Sequence, residues 1–209
     1  TWSCGDFPET ASAGEYTFTA ALPEGYALGD EAASLAVSVV LGGGTTLEIT
    51  PSQPAGNGIS GDPYRITNAA ELLWFAQAVN NGSNSAWATL QNDIDLSGAA
   101  WAPITTYSGT FDGQGHTIDS LVLELTTDST GDTYAGFVGE LSGTIQNLTL
   151  GEGCRIAAVS TASFGQLYTG GICGENSGTI QNCINRGTVT VTAPAPFTGG
   201  IGGYNNGGT

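Results

Sequence analysis

The sequence predicts an all-β protein whose main part is a β-helix, a solenoid of stacked coils. The first observation is a repeat: Gly136–Leu148 returns 35 residues later as Gly171–Cys183, with nine of thirteen positions identical. The second is a series of short apolar segments separated by Gly, Asn, Asp and Ser, with 33 glycines in 209 residues. Self-similarity at this period is typical of stacked coils, each of which buries its apolar side against the next.

Two further segments extend the repeat. A third copy begins at Gly200–Gly207, 29 residues after the second, and reaches the end of the sequence. A weaker copy at Thr117–Leu121 aligns with Thr144–Leu148 at an offset of 27 residues. We therefore expect the sequence to be a piece of a longer chain, with its solenoid truncated at the C-terminal end.

The spacing inside the repeat predicts a bent coil rather than a flat sheet. Ile145 and Leu148 are three residues apart, and a straight strand with a period of two cannot point both inward. A bend at Gln146–Asn147 resolves this and stacks Asn147 under Asn182 in an amide ladder. Gly139 and Gly174 occupy one repeat position and are expected to have a structural role in tight turns.

Residues 1–50 differ from the rest. Tyr16–Leu22 and Ser34–Leu41 alternate apolar and polar residues, which predicts a small antiparallel β segment. The pattern around Tyr16 to Tyr26 resembles the last strands of a bacterial immunoglobulin-like domain. We assign residues 1–50 to a partial domain of this kind with a linker, and residues 51–209 to the β-helix.

One helix is predicted, over about residues 69–80. Asn68 and Glu71 have the spacing of a capping box, with Asn68 as N-cap and Glu71 reaching back. Leu72, Phe75, Ala76 and Val79 follow on one helical face. Such a helix, placed just before the first coil, is expected to cover the apolar end of the solenoid.

Charge excludes several classes of partner. The formal net charge is −16, from 19 acidic residues against Arg65, Arg155 and Arg186, with no lysine. Such a surface repels phosphate backbones and disfavours anionic membranes and polyanionic sugars. No apolar run approaches the about 20 residues of a membrane span. Neither nucleic-acid binding nor membrane insertion is therefore expected.

The repeat also carries a family resemblance. Gly136–Gly139 and Gly171–Gly174, each followed by Gly-Thr-Ile-Gln-Asn, resemble the GLUG repeat of bacterial surface proteins. The preceding sequence resembles the first turn of those proteins at Tyr64–Asn68, Glu71–Leu72, Asp93–Leu96, Trp101–Ile104 and Phe111–Ile118. The resemblance implies a right-handed parallel β-helix of the pectin-lyase-like type. It also implies a secreted or cell-wall-attached, extracellular module of a larger adhesin-like parent chain.

The sequence offers little for metal or nucleophilic chemistry. The lone His116 lies in a turn, where a catalytic role would require pairing with Asp112, and no triad is present. Asp93 and Asp95 share one face of a short strand and are weak calcium candidates. The four cysteines do not have the sequence spacing of a metal site; they are Cys4, Cys154, Cys173 and Cys183. Buried free thiols are therefore expected, with a Cys173–Cys183 disulfide as the alternative. No cofactor is predicted.

Aromatic residues supply the candidate binding surface. Tyr134 and Tyr168 enter neighbouring coils at nearly equivalent places, and Tyr107 and Tyr204 extend a row on which sugars could stack. Glu140 and Glu175 occupy the same repeat position and are interpreted as a surface feature rather than an acid/base pair. The predicted function is a non-catalytic structural or adhesion module that contacts host surface proteins or glycans. The alternative is a polysaccharide hydrolase or lyase, or its glycan-binding module.

Overall fold

The computed structural model describes residues 2–3, 14–20, 37–41, 49–99, 101–162 and 165–209. The chain divides into two compact units, Thr1–Leu47 and Glu48–Thr209. In the first unit, strands β1 (Trp2–Ser3), β2 (Gly14–Ala20) and β3 (Val37–Leu41) form an antiparallel sheet in the order β1-β2-β3. Cys4 lies outside the described residues.

The second unit is a β-solenoid of about three turns, preceded by a single helix. Its elements in chain order are β4 (Tyr64–Ile66), α1 (Ala69–Asn80), β5 (Trp87–Leu90), β6 (Ile94–Asp95), β7 (Ile104–Tyr107), β8 (Thr110–Asp112), β9 (Thr117–Asp119), β10 (Val122–Thr127), β11 (Thr133–Ala135), β12 (Val138–Leu141), β13 (Thr144–Gln146), β14 (Thr149–Leu150), β15 (Arg155–Ser160), β16 (Leu167–Gly170), β17 (Cys173–Asn176), β18 (Thr179–Gln181), β19 (Ile184–Asn185), β20 (Thr188–Thr192), β21 (Pro196–Gly199) and β22 (Gly202–Asn205).

Five parallel sheets form the sides of the solenoid, because each strand pairs with its counterpart in the next coil. Their orders are β22-β17-β12-β7, β18-β13-β8-β5-β4, β19-β14-β9-β6, β10-β15-β20 and β11-β16-β21. The repeat sets the register: Val138 pairs with Cys173, and Cys173 with Gly202. The predicted fold class, a parallel β-helix with an N-terminal helix, is confirmed.

The bend predicted from Ile145 and Leu148 is present. Both side chains are fully buried, and between them Asn147 has a φ of 52°, in the left-handed region. Asn182 repeats that φ one coil later, and its Nδ2 donates to Oδ1 of Asn147 at 3.1 Å. Left-handed backbone is costly for most residues and is tolerated by Asn, which explains this residue type at the corner.

The alignment of Thr117–Leu121 with Thr144–Leu148 is wrong as a stacking register. Ile145 pairs with Phe111, while Ile118 pairs with Leu150 on the next side of the coil. The two segments nevertheless share a local form, because Ser120 has a φ of 57° where Asn147 has 52°. The sequence similarity therefore reflects the same kind of bend at two different corners of the coil.

The helix begins and ends where the pattern predicts. Asn68 Oδ1 accepts a hydrogen bond from the Glu71 N–H at 3.1 Å. The Glu71 carboxylate, however, accepts from the backbone N–H and hydroxyl of Thr67, at 2.6 and 2.8 Å, rather than from Asn68. The capping box is therefore shifted by one residue, because the Glu71 carboxylate binds Thr67 instead of the backbone N–H of the N-cap Asn68.

The apolar face of α1 packs on the solenoid core. Phe75 is fully buried, with its ring centroid 5.7 Å from that of Phe111 and 6.0 Å from that of Tyr107. Asn80 Oδ1 accepts from the Thr105 N–H at 2.9 Å, which fixes the C-terminal end of the helix to the coil. Among the described residues, no helix combines the length and apolar character needed to cross a bilayer.

The cysteines of the solenoid are free thiols. Cys154 and Cys173 are buried and Cys183 is half-buried. Burial raises the pKa of all three, that of Cys173 to about 12. The first expectation, free thiols in inward positions, therefore agrees with the structure for these three residues, and the alternative Cys173–Cys183 disulfide is absent from them.

Candidate functional site

Two adjacent sides of the solenoid meet at a corner built from the glycines of the repeat. Val138 and Leu141 are both buried although three residues apart, so β12 bends at Gly139 and Glu140 faces outward. A Cβ on Gly139 would lie 2.6 Å from the Thr105 carbonyl oxygen. On Gly174 it would lie 2.8 Å from the Tyr168 carbonyl oxygen and 2.9 Å from the Ala135 nitrogen. Only glycine allows the two backbones to approach this closely.

One wall of this corner is a stack of aromatic rings. Tyr134 and Tyr168 are in register on β11 and β16, with centroids 5.1 Å apart and an interplanar angle of 12°. Phe197 on β21 continues the stack, 5.0 Å from Tyr168 and at 15°. Aromatic pairs at such separations stabilise the fold beyond their buried area.

The other wall carries two carboxylates and a fourth ring. Glu140, Glu175 and Tyr204 pair in register on β12, β17 and β22. Tyr204 closes the corner, since its centroid is 5.6 Å from Tyr168 and 5.5 Å from Phe197. We call the surface formed by Tyr134, Tyr168, Phe197, Glu140, Glu175 and Tyr204 the corner groove.

The groove is electronegative. Burial, and then the charge of Glu175, raise the pKa of Glu140. Burial together with Glu175 and Glu140 raises the pKa of Tyr134 to about 12. Asn206 Nδ2 donates to Glu175 Oε1 at 2.9 Å. Beside the carboxylates lies a cavity of about 170 Å³, lined by Thr106, Glu140, Leu141, Ser142, Glu175 and Ser177.

The structure brings together three of the four tyrosines of the predicted row. Tyr134, Tyr168 and Tyr204 come together, but Tyr107 does not, because it faces the core with 1% exposure. Its hydroxyl donates to the Ala86 carbonyl at 2.7 Å, and burial raises its pKa. Phe197 was missed, although it lies 29 residues after Tyr168, the same offset that relates Gly171 to Gly200.

His116 and the paired aspartates take other roles. His116 Nδ1 lies 3.2 Å from Asp93 Oδ1, so the histidine contacts Asp93 and not Asp112, the partner that a catalytic role would require. Asp93 also accepts from the Thr117 N–H at 2.8 Å, and this bond with the His116 contact lowers its pKa. Asp95 accepts from the Ser97 N–H and hydroxyl, which lower its pKa.

These contacts leave the two aspartates in separate hydrogen-bond systems. Within the part of the chain that the structure describes, no three His, Cys, Asp or Glu side chains are grouped so as to hold a metal ion. Among the residues that the structure describes, the calcium candidates Asp93 and Asp95 have no third His, Cys, Asp or Glu side chain grouped with them.

A β-solenoid with a mixed aromatic and carboxylate groove is the class of protein that these features define. The chain is similar to Halomucin of Haloquadratum walsbyi, with 34% identity over 152 residues. The aligned part is 64% of this chain and 2% of Halomucin, so the chain spans a small fraction of that protein's length. No family model matches the chain, and no solved structure matches it.

Proposed function

We propose that this chain is a non-catalytic structural module of an extracellular surface protein, and that the corner groove is its contact surface for glycans or host proteins. The observation that carries the proposal is the continuous stacking of coils in one register. Such a scaffold extends by addition of coils and repeats any surface feature along its length. The similarity to Halomucin, a mucin by name, supports a surface role.

The family assignment belongs to the same proposal. The glycines, the Glu and the Gly-Thr-Ile-Gln-Asn segment each have a defined place in the coil, which supports the resemblance to the GLUG repeat. The antiparallel sheet of the N-terminal unit is compatible with a partial immunoglobulin-like domain. Attachment to the cell wall and a larger parent chain remain part of the proposal.

A contact role is tested by adhesion. Beads coated with the chain are expected to bind surfaces coated with cell-surface glycoproteins more than beads coated with heat-unfolded chain. The expected difference reflects the folded groove, since both bead types carry the same net charge. Equal retention of the two bead types would overturn the contact role.

Glycoside hydrolysis is the second candidate, because Glu140 and Glu175 occupy a groove with an aromatic wall. Strands in register lie about 4.8 Å apart, and retaining hydrolases use carboxyl groups about 5 Å apart. The raised pKa of Glu140 suits a general acid. Against it, the two carboxylates stand side by side on one wall, whereas a hydrolase places its pair on either side of the scissile bond.

An activity screen separates the two candidates. We expect no new reducing ends and no unsaturated uronate when the chain is incubated with neutral and acidic polysaccharides. Product formation that Glu140→Gln or Glu175→Gln abolishes would establish the enzyme and overturn the non-catalytic proposal.

A further inference from the structure

We infer that the corner groove binds saccharides that carry no anionic groups, with a sugar ring stacked on Tyr204 and its hydroxyls bound by the carboxylates of Glu140 and Glu175. The inference rests on the proposed contact role of the groove and names its ligand chemistry. Four features of the groove support it: an exposed ring beside the carboxylates, a row of acceptors, hydroxyls beside them, and the sign of the charge.

Ring faces decide where a sugar can stack. Tyr168 lies between Tyr134 and Phe197, about 5 Å from each, so it offers mainly its edge, whereas Phe197 ends the stack and is 40% exposed. Tyr204 is turned 47° from Tyr168 and 62° from Phe197, and it is 41% exposed. Phe197 and Tyr204 are therefore the exposed rings of the groove, and Tyr204 is the one that stands in register with the carboxylates.

The hydrogen-bond acceptors, Glu140 and Glu175, lie next to the ring of Tyr204. Glu175 is in register with Tyr204 on the neighbouring strand, and Glu140 lies one strand further. Ionised carboxylates accept without donating, so they suit the hydroxyls of a polyol. Thr106, Ser142 and Ser177 line the adjoining cavity and supply hydroxyls that donate or accept. The groove thus combines an apolar platform with a polar row, as saccharide sites require.

Charge sets the selectivity. Glu140 and Glu175 face the same space as the tyrosines, and Asp132 adds to the field at Tyr134. A uronate, sulfate or sialate group placed beside these carboxylates would meet like charges in a partly desolvated site, which is unfavourable. Neutral hydroxyls meet no such penalty. The groove is therefore expected to discriminate by charge more than by sugar identity.

The experiment is a glycan array probed with the full chain, containing neutral oligosaccharides beside acidic counterparts of similar length. We expect retention on neutral glycans and at least tenfold weaker retention on acidic ones. Tyr204→Ala should abolish the neutral signal, while Trp87→Ala, which removes an exposed ring outside the groove, should leave it unchanged. Circular dichroism of each variant confirms that the fold is intact.

A charge swap tests the selectivity directly. The double variant Glu140→Gln/Glu175→Gln should raise binding to acidic glycans. The control Asp128→Asn/Glu152→Gln removes the same two charges from exposed positions elsewhere and should not. Absence of neutral binding, equal binding of neutral and acidic glycans, or an equal effect of the two double variants would overturn the inference. The proposed contact role would survive those results if the beads still adhere to glycoproteins through a protein partner.

Discussion

Asp112 ends two side-chain ladders that run along the outside of the coils. Gln146 Nε2 donates to Asp112 Oδ2 at 2.7 Å, and Asn147 Nδ2 donates to Asp112 Oδ1 at 3.0 Å. Gln181 and Asn182 donate in turn to Gln146 and Asn147, at 2.7 and 3.1 Å. Every amide points its donor toward the N-terminal coil, and a carboxylate, which only accepts, satisfies both ladders at their end.

This arrangement predicts acid sensitivity. Burial opposes ionisation of Asp112, but hydrogen bonds from Asn147, Gln114 and Gln146 outweigh it, and its pKa lies below the usual value. Because the pKa is lower when folded than when unfolded, about 3.9, ionised Asp112 stabilises the fold above that pH. The stabilisation is lost as pH falls through the folded-state pKa.

Thermal unfolding of Asp112→Asn between pH 2 and 7 measures the stabilisation that ionised Asp112 provides. An amide has one acceptor oxygen where the carboxylate accepts from three donors, Gln114, Gln146 and Asn147, so we expect a loss of about 1–3 kcal/mol at pH 7. The difference in the free energy of unfolding between this variant and the unsubstituted chain should shrink toward pH 2, because Asp112 is then protonated. A difference that is constant across this range would show that ionisation of Asp112 is irrelevant to stability.

Asn147 tests the corner itself. Asn147→Ala removes the amide ladder and forces a Cβ-bearing residue without a compensating side chain into a φ of 52°. We expect a loss of about 2 kcal/mol in the free energy of unfolding. Asn147→Gly also removes the ladder but tolerates the φ, so it should cost less in urea unfolding. Equal losses for the two variants would refute the role assigned to the backbone conformation.

Among the strands, Gly174 stands where neighbouring backbones pass close to one another. Gly174→Ala would place a Cβ within 3 Å of three backbone atoms, of Tyr168, Ala135 and Gly139. Backbone cannot move aside as a flexible side chain can, so we expect a loss of about 1–3 kcal/mol or more. Gly200→Ala is the matched control, because nothing lies within 4 Å of its added Cβ.

Urea unfolding of Gly174→Ala and Gly200→Ala measures the two losses in the free energy of unfolding. The Gly200 variant should unfold within about 0.5 kcal/mol of the unsubstituted chain. If Gly174→Ala is equally well tolerated, the corner is looser than the structure indicates, and the contact between the two walls of the groove would need another explanation.

Some structural elements could be predicted from the sequence and others could not. The coil bend, the helix and the 35-residue register followed from local spacing, because burial of Ile145 and Leu148 constrains the backbone directly. The sequence does not indicate that Tyr107 points inward, where its ring packs against Phe75 of α1. Such a position depends on contacts distant in sequence, which no local pattern encodes.

Phe197 was missed for a different reason. The coils differ in length, so the repeat of 35 residues changes to 29 before the last coil. Alignment by residue type finds Tyr168 under Tyr134 but does not match a phenylalanine to them. Alignment by offset from the shared glycines would have found it.

We expect the fold of the whole molecule to be independent of metal ions. The described core is mainly apolar, and amides and carboxylates hydrogen-bond to one another at the Asp112 corner. Addition of EDTA should leave the β-sheet circular dichroism and the melting temperature unchanged. A loss of β signal on EDTA addition, reversed by calcium or zinc, would contradict this prediction.

In-register coils bring the aromatic and carboxylate rows into one groove. Nuclear Overhauser effects between ring protons test this arrangement most directly, since these residues are distant in sequence. We predict cross-peaks from the ring of Tyr168 to those of Tyr134, Phe197 and Tyr204. A spectrum of the folded chain in which Tyr168 has no contact with these three rings would contradict the stacking register and the groove together.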